Sequence, residues 1–345
     1  MRWFIGFLTL VSFQLMAIGC DQGPSGDPRD SGKSDLERLS RSILLTWEAS
    51  GADATISRFE AQGLALDAKL YVFGGFYNDH IQATVQSDVY DPANNTWTQL
   101  APLPEKLTHA GQATDGRFIY LAGGFVGDHP GGSSNKLWKY DVAANLWSEG
   151  PSMPGKRGGG ALVFLGRSLH YFGGTLRLKG GDYVQDYGDH WVLRLDDHDA
   201  GWTTAASLPN PRNHMGGCVA NGKIYAVGGQ HLGDEESGNQ RSVQVYDPAT
   251  DEWTNTADLP FARGHLTSNI LEWNGRVIVV SGVTNRRKAV ATIEVYDPTS
   301  NKWATLTPLP KPRQSGVSGI VGDKLIVTGG SLSVTTWIGK LSRRT

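Results

Sequence analysis

The chain has 345 residues, with 32 Lys and Arg against 34 Asp and Glu, a formal charge of -2 and a pI near 6.5. So balanced a charge offers no basic field to a phosphate backbone and no dense Lys/Arg run occurs, which excludes nucleic acid as a partner. The 44 Gly, 16 Pro and 11 Trp, with only 19% charged residues, favour many short strands and tight turns over amphipathic helices, and two cysteines are too few for a disulfide framework.

Taken from its beginning, the chain first presents an address. Residues 1–19 carry one positive charge, Arg2, and an apolar stretch from Trp3 to Ile18 broken by Thr9, Ser12 and Gln14; this is the layout of a secretory signal peptide, too short for a good membrane span. Its end, Ala17-Ile18-Gly19-Cys20, resembles the bacterial lipobox, with Ala17 where that motif usually has Leu. The resemblance implies that Cys20 receives lipid. Residues 20–41 are rich in Asp, Ser, Gly and Pro and form a flexible tether, because they have too little apolar surface to offset ordering. The expected location is the cell envelope, held to a membrane by the lipid alone and facing the periplasm or exterior.

Residues 42–345 are a repeat array. Gly-Gly pairs stand at Gly74-Gly75, Gly123-Gly124, Gly173-Gly174, Gly228-Gly229 and Gly329-Gly330, with Ser281-Gly282 in the gap, at steps of 49, 50, 55, 53 and 48 residues. Each ends an apolar alternating run, as in Lys223-Ile-Tyr-Ala-Val-Gly-Gly. Downstream come Tyr90-Asp91-Pro92, Tyr140-Asp141-Val142, Leu195-Asp196-Asp197, Tyr246-Asp247-Pro248 and Tyr296-Asp297-Pro298, then Trp97, Trp147, Trp202, Trp253 and Trp303. The Asp and Pro residues suit a strand-to-turn junction. A sixth tryptophan, Trp47, precedes Gly74 by 27 residues, matching the Trp-to-Gly offset of 26 to 28 elsewhere. Gly-Gly, Tyr-Asp-Pro and Trp at this spacing resemble the kelch repeat. The resemblance implies an all-β fold, a six-bladed kelch-type β-propeller closed by an N-terminal strand, in which residues 42–47 complete the last blade.

In such a fold the loops after Gly-Gly and after Trp share one face. Sixteen residues before each Gly-Gly (18 in the fifth repeat) stand Arg58, Leu107, Arg157, Arg212, Arg263 and Arg313, and two residues further on Glu60, His109, Gly159, His214, His265 and Ser315. Arginines at this position are similar to those with which kelch domains hold acidic peptides, and they are expected to ring the mouth of a central channel. Asp79, His80, Asp128, His129, His190 and His231 lie in the loops after Gly-Gly, as do Asp234-Glu235-Glu236. Seven of the nine histidines fall in these two segment types, so the candidate ligand-binding residues are Arg58, Arg157, Arg212, Arg263, Arg313, His109, His214, His265, Asp79, His80, Asp128, His129, His190 and His231.

The function these residues favour is non-catalytic capture of an anionic or polyhydroxylated ligand, a glycan or an acidic peptide or protein, by a monomer. The alternative is a carbohydrate-active enzyme: bacterial sialate mutarotases are similar in fold and export, and Arg with Glu or His suits acid/base work on a carboxylated sugar. Galactose oxidase is similar in repeat type but has seven blades, and Cys218, the cysteine it would need, sits in the apolar run Gly216-Gly-Cys-Val-Ala220. No metal-ligand spacing occurs and no cofactor is expected.

Overall fold

A computed structural model describes residues 43–48, 51–197, 201–232 and 238–343. The signal segment, Cys20, the tether and Asp234-Glu235-Glu236 lie outside the described residues. What is described is almost wholly β, with one 3-10 turn at Asn285–Arg287. Six four-stranded antiparallel sheets follow one another along the chain. The first has strands Gln62–Leu66, Lys69–Phe73, Ser87–Asp91 and Thr96–Gln99, and the next four repeat its order. The sixth has Val317–Val321, Lys324–Thr328 and Thr336–Arg343, and its outer strand is Ile43–Trp47, with Leu45 opposite Leu341 and Trp47 opposite Gly339. The first strands of neighbouring sheets touch in cyclic order, that of the sixth against that of the first.

The motif residues explain how the sheets join. Each Gly-Gly pair has positive φ, from 57° and 89° at Gly74 and Gly75 to 64° and 74° at Gly329 and Gly330, a region cheap for glycine and costly for other residues. A Cβ on Gly74 would stand 2.4 Å from the carbonyl oxygen of Leu107. The second glycine donates its N–H to the next repeat: Gly75 to Leu107, Gly124 to Arg157, Gly174 to Arg212, Gly229 to Arg263 and, across the chain ends, Gly330 to Arg58 at 2.6 Å. The tryptophans make a second set of ties, each indole N–H donating to a backbone carbonyl of the preceding sheet. Trp97 reaches Ala52, Trp147 Ala101, Trp202 Pro151, Trp253 Ala206, Trp303 Ala257 and Trp47 Pro308.

At the Tyr-Asp turns, Asn95, Asn145, Asp251 and Asn301 adopt φ of 53° to 54°, and each side-chain oxygen accepts from the Tyr hydroxyl and from a backbone N–H of the preceding sheet. Between the sheets lie apolar layers such as Tyr71, Phe73, Leu107, Ile119 and Tyr140. Cys218 is buried in one of them beside Tyr225. Burial pushes its thiol up, consistent with an inert core cysteine.

Candidate functional site

The segments entering each sheet meet the loops that follow the glycine pairs. Phe59 bridges Phe76, Gly158 Thr175, Asn213 Gln230 and Gly264 Val283. Two repeat positions on the entering segments then part company.

The first is the arginine position, and the expected ring of open guanidinium groups is not formed. Each arginine turns back into the sheet that it precedes. Arg58 pairs with Asp88 and donates to the Val72 and Gln86 carbonyls. Arg157 pairs with Asp189 and lies 3.6 Å over the Tyr187 ring. Arg212, fully buried, donates to Gly228, Ala226 and Asn210 carbonyls and to Gln244 Oε1. Arg263, also at 0% exposure, is held by Glu294 and the Ser281 carbonyl, and Arg313 by Ser333 and the Trp337 ring. The reason is energetic: a guanidinium leaving water needs acceptors, and these sheets supply them for most of its donors, Arg263 Nε and Arg313 Nε excepted. Burial pulls Arg58 down to about 10 and Arg212 to about 9, so both stay charged at neutral pH.

The second position, two residues on, does converge. Glu60, His109, Gly159, His214, His265 and Ser315 all have positive φ, between 49° and 69°, although only one is glycine. Backbone bonds link them in succession: Glu60 N–H to the Ser315 carbonyl, His109 N–H to Glu60 and Gly159 N–H to His109. The imidazoles of His109 and His214, and of His214 and His265, have centroids 4.6 Å apart. Glu60 is the acceptor for the group. One carboxylate oxygen meets His265 Nδ1 and the Ser315 hydroxyl, and the other lies 3.3 Å from His109 Nε2. Burial would raise the Glu60 carboxyl, but attraction from His109 and His265, with His214 behind them, outweighs it and holds the group well below the usual carboxylate range.

Glu60, His109, His214 and His265 line a cavity of about 170 Å³ to which all six repeats contribute. Phe59 and Phe76 form an apolar wall, while His129, Arg177, Gln230, Asn239, Arg287 and Gln314 add polar groups. Arg177 is placed by its Nε donating to the Gly131 carbonyl and by the Phe125 ring 3.4 Å beneath it. Of the fourteen sequence candidates, four therefore reach the cavity: His109, His129, His214 and His265.

The others are placed elsewhere. His190 is the first residue of an inner strand rather than a loop residue, buried against Tyr246 and Trp253 with Nε2 3.0 Å from His170 Nδ1. Asp128 ties two loops, accepting from Ala83 N–H and Lys106. Asp79 and His80 are exposed beside each other, and His231 bonds to Asn210. Glu60 shared the signal that marked the histidines, since it occupies their repeat position. Arg177 and Arg287 carry no motif; their loops differ in length from one repeat to the next. Nor is the absence of metal-ligand spacing decisive here, because the fold assembles Glu60, His214 and His265 from three repeats. Their donor atoms lie within 4.8 Å of one another.

An all-β chain whose sheets repeat Gly-Gly, Tyr-Asp and Trp, with a polar cavity where the repeats converge, is a repeat scaffold presenting one shared site. Comparison with known proteins gives the class its name. A domain model described as the KLHDC2/KLHL20/DRC7 Kelch-repeats domain matches residues 113–330, a kelch-motif model matches residues 58–104, and the chain belongs to the kelch-repeat family. It is 26% identical over 261 residues to a kelch repeat-containing protein of Arabidopsis thaliana, covering 70% of this chain and 59% of that protein. To kelch-like protein terF of Aspergillus terreus it is 29% identical over 286 residues, 81% and 59%; to beta-scruin of Limulus polyphemus, 27% over 241 residues, 66% and 25%. The chain thus spans no more than 59% of the length of these relatives.

Proposed function

We propose that the six sheets are the blades of one closed kelch propeller, that Cys20 tethers it in the cell envelope, and that its cavity binds an anionic group. The ligand class is a carboxylated saccharide or an acidic peptide. Closure is supported by the pairing of Ile43–Trp47 with Thr336–Arg343 and by the Gly330-to-Arg58 bond. The observation that carries the binding reading is the cavity lining: four imidazoles and two guanidinium groups, from Arg177 and Arg287, face one carboxylate, Glu60. Such a lining favours negative charge on an entering ligand, and the Phe59 and Phe76 rings suit the apolar face of a sugar. About 170 Å³ admits a single small group, so a larger ligand inserts one residue and rests the remainder on the loops.

The test is a glycan array including sialylated sugars, together with glutamate-rich peptides, applied to the full chain. Arg177→Ala is expected to weaken capture at least tenfold, the loss of one charged hydrogen bond. Failure of every acidic probe to bind, or binding unchanged by that substitution, would overturn the reading. The Glu60–His265 pair also favours a second reading, acid/base catalysis on a carboxylated sugar. Faster exchange between the anomers of free sialic acid, followed by NMR, is its signature.

A further inference from the structure

We propose that Glu60, His214 and His265 form a binding site for one divalent transition-metal ion at the floor of the cavity. The inference goes beyond ligand capture and does not depend on which anion the cavity takes.

The donors are the first observation. One carboxylate oxygen and one nitrogen from each of two imidazoles lie within 4.8 Å of one another, and all three residues are buried. Ligand atoms on a tetrahedral zinc ion, each about 2.0–2.2 Å from it, stand roughly 3.3–3.6 Å apart. Small rotations of three side chains would close that difference.

The tautomer of His214 is the second. Asn213 donates from Nδ2 to Asp186 Oδ1 at 2.5 Å, and Asp186 is itself fixed by the Leu232 N–H at 2.7 Å. A carboxylate only accepts, so the amide nitrogen must face Asp186 and Asn213 Oδ1 must face His214 Nδ1. That contact is made. Nδ1 therefore carries a proton, and whenever the ring is neutral Nε2 is the nitrogen with the lone pair. This is the outer arrangement by which proteins orient a metal-binding histidine, with the nitrogen away from the metal donating to a fixed acceptor. His109 is held differently, with Nδ1 2.9 Å from Thr108 Oγ1 and Nε2 3.3 Å from Glu60 Oε2, where it must donate to the carboxylate. It stands ready to orient the carboxylate.

The third observation is the cost of the arrangement. Burying a carboxylate among imidazoles adds no packing that an apolar set would not supply more cheaply. A cation shared by the three side chains accounts for that burial. Two imidazoles with one carboxylate select zinc and its neighbours in the first transition series over magnesium and calcium, which favour oxygen donors.

The experiment uses the full chain without a polyhistidine tag, stripped with chelator and dialysed, then titrated with Co²⁺ followed by visible absorption and with Zn²⁺ followed by calorimetry. One equivalent is expected to bind. Glu60→Gln, His214→Ala and His265→Ala should each weaken binding at least 100-fold, Asn213→Ala about 10–100-fold as an outer-shell loss, and His80→Ala not at all. Should a cavity variant fail to fold, X-ray absorption at the zinc edge of the wild-type protein decides the matter. Two imidazoles in the zinc shell support the site. A shell without imidazole, the absence of a stoichiometric ion, or binding unchanged by His214→Ala or His265→Ala would overturn it.

Discussion

Two residues apart in every repeat, the arginine position and the cavity position use polar side chains in opposite ways. At the first, each charge is closed within its own sheet: Arg58 on Asp88, Arg263 on Glu294, Arg212 on Gln244 and three carbonyls. At the second, the contacts cross between repeats, and one carboxylate serves His109, His265 and Ser315. The difference teaches that burial of a polar group does not mark it as structural or functional. What separates the two rows is whether the partner comes from the same repeat or a distant one.

The comparison can be broken most directly at Arg263. Its removal strands Glu294, 1% exposed, as an uncompensated buried charge, and Arg263→Ala should cost about 3–5 kcal/mol. Urea denaturation checks this, and a loss below about 1 kcal/mol would mean that the arginine row is not structural. An intermediate effect comes from a pair belonging to neither row. Burial, with the charge of His190 added, pulls His170 down to about 4, and burial pulls His190 down to about 4. An unfolded chain takes up these protons near pH 6.5 and the folded one does not, so stability should fall as pH drops from about 6.5 to about 4. Each pKa unit is worth about 1.4 kcal/mol, giving roughly 3 kcal/mol for one such group. His170→Gln should flatten that slope in melting temperatures measured at fixed ionic strength; an unchanged slope would remove the pair from the pH response. The smallest effect is expected in the cavity row. Glu60→Gln in metal-free protein should cost about 1–2 kcal/mol in the same urea denaturation, because the hydrogen bonds to a charged acceptor are weakened rather than removed.

Much of this was legible in the sequence, and the residues show why the remainder was not. Gly-Gly, Tyr-Asp and Trp each hold a backbone position, so their spacing alone marked the sheets, and Trp47 marked the strand that joins the last. The cavity position followed from the same register. The direction of the arginines did not, because it depends on a partner about thirty residues downstream. Aligning the repeats on one another would have found it. The residue two before Tyr90, Tyr246 and Tyr296 is Asp88, Gln244 and Glu294, facing Arg58, Arg212 and Arg263. Where Leu107 replaces the arginine, the same place holds Trp138, and both are buried in one apolar cluster. His190 was misplaced because the third repeat carries a long insert, which hid where the loop ends and the strand at His190 begins.

The Trp47 bond has a further consequence, for synthesis. Five of the six indole ties span short stretches of chain, such as the 46 residues from Trp303 to Ala257, but Trp47 reaches Pro308 across 261 residues. Closing the longer loop costs only about 1.5 kcal/mol more in chain entropy, so the thermodynamic difference is modest. The difference in timing is large. While a ribosome is still making the later repeats, Ile43–Trp47 has no strand to join, and the first repeat presents the unpaired Glu60 N–H that will later meet Ser315. An apolar strand left waiting is prone to pair with another chain. The first-made of the described strands is thus the last to find its place, and the growing chain needs protection until Thr336–Arg343 has been delivered.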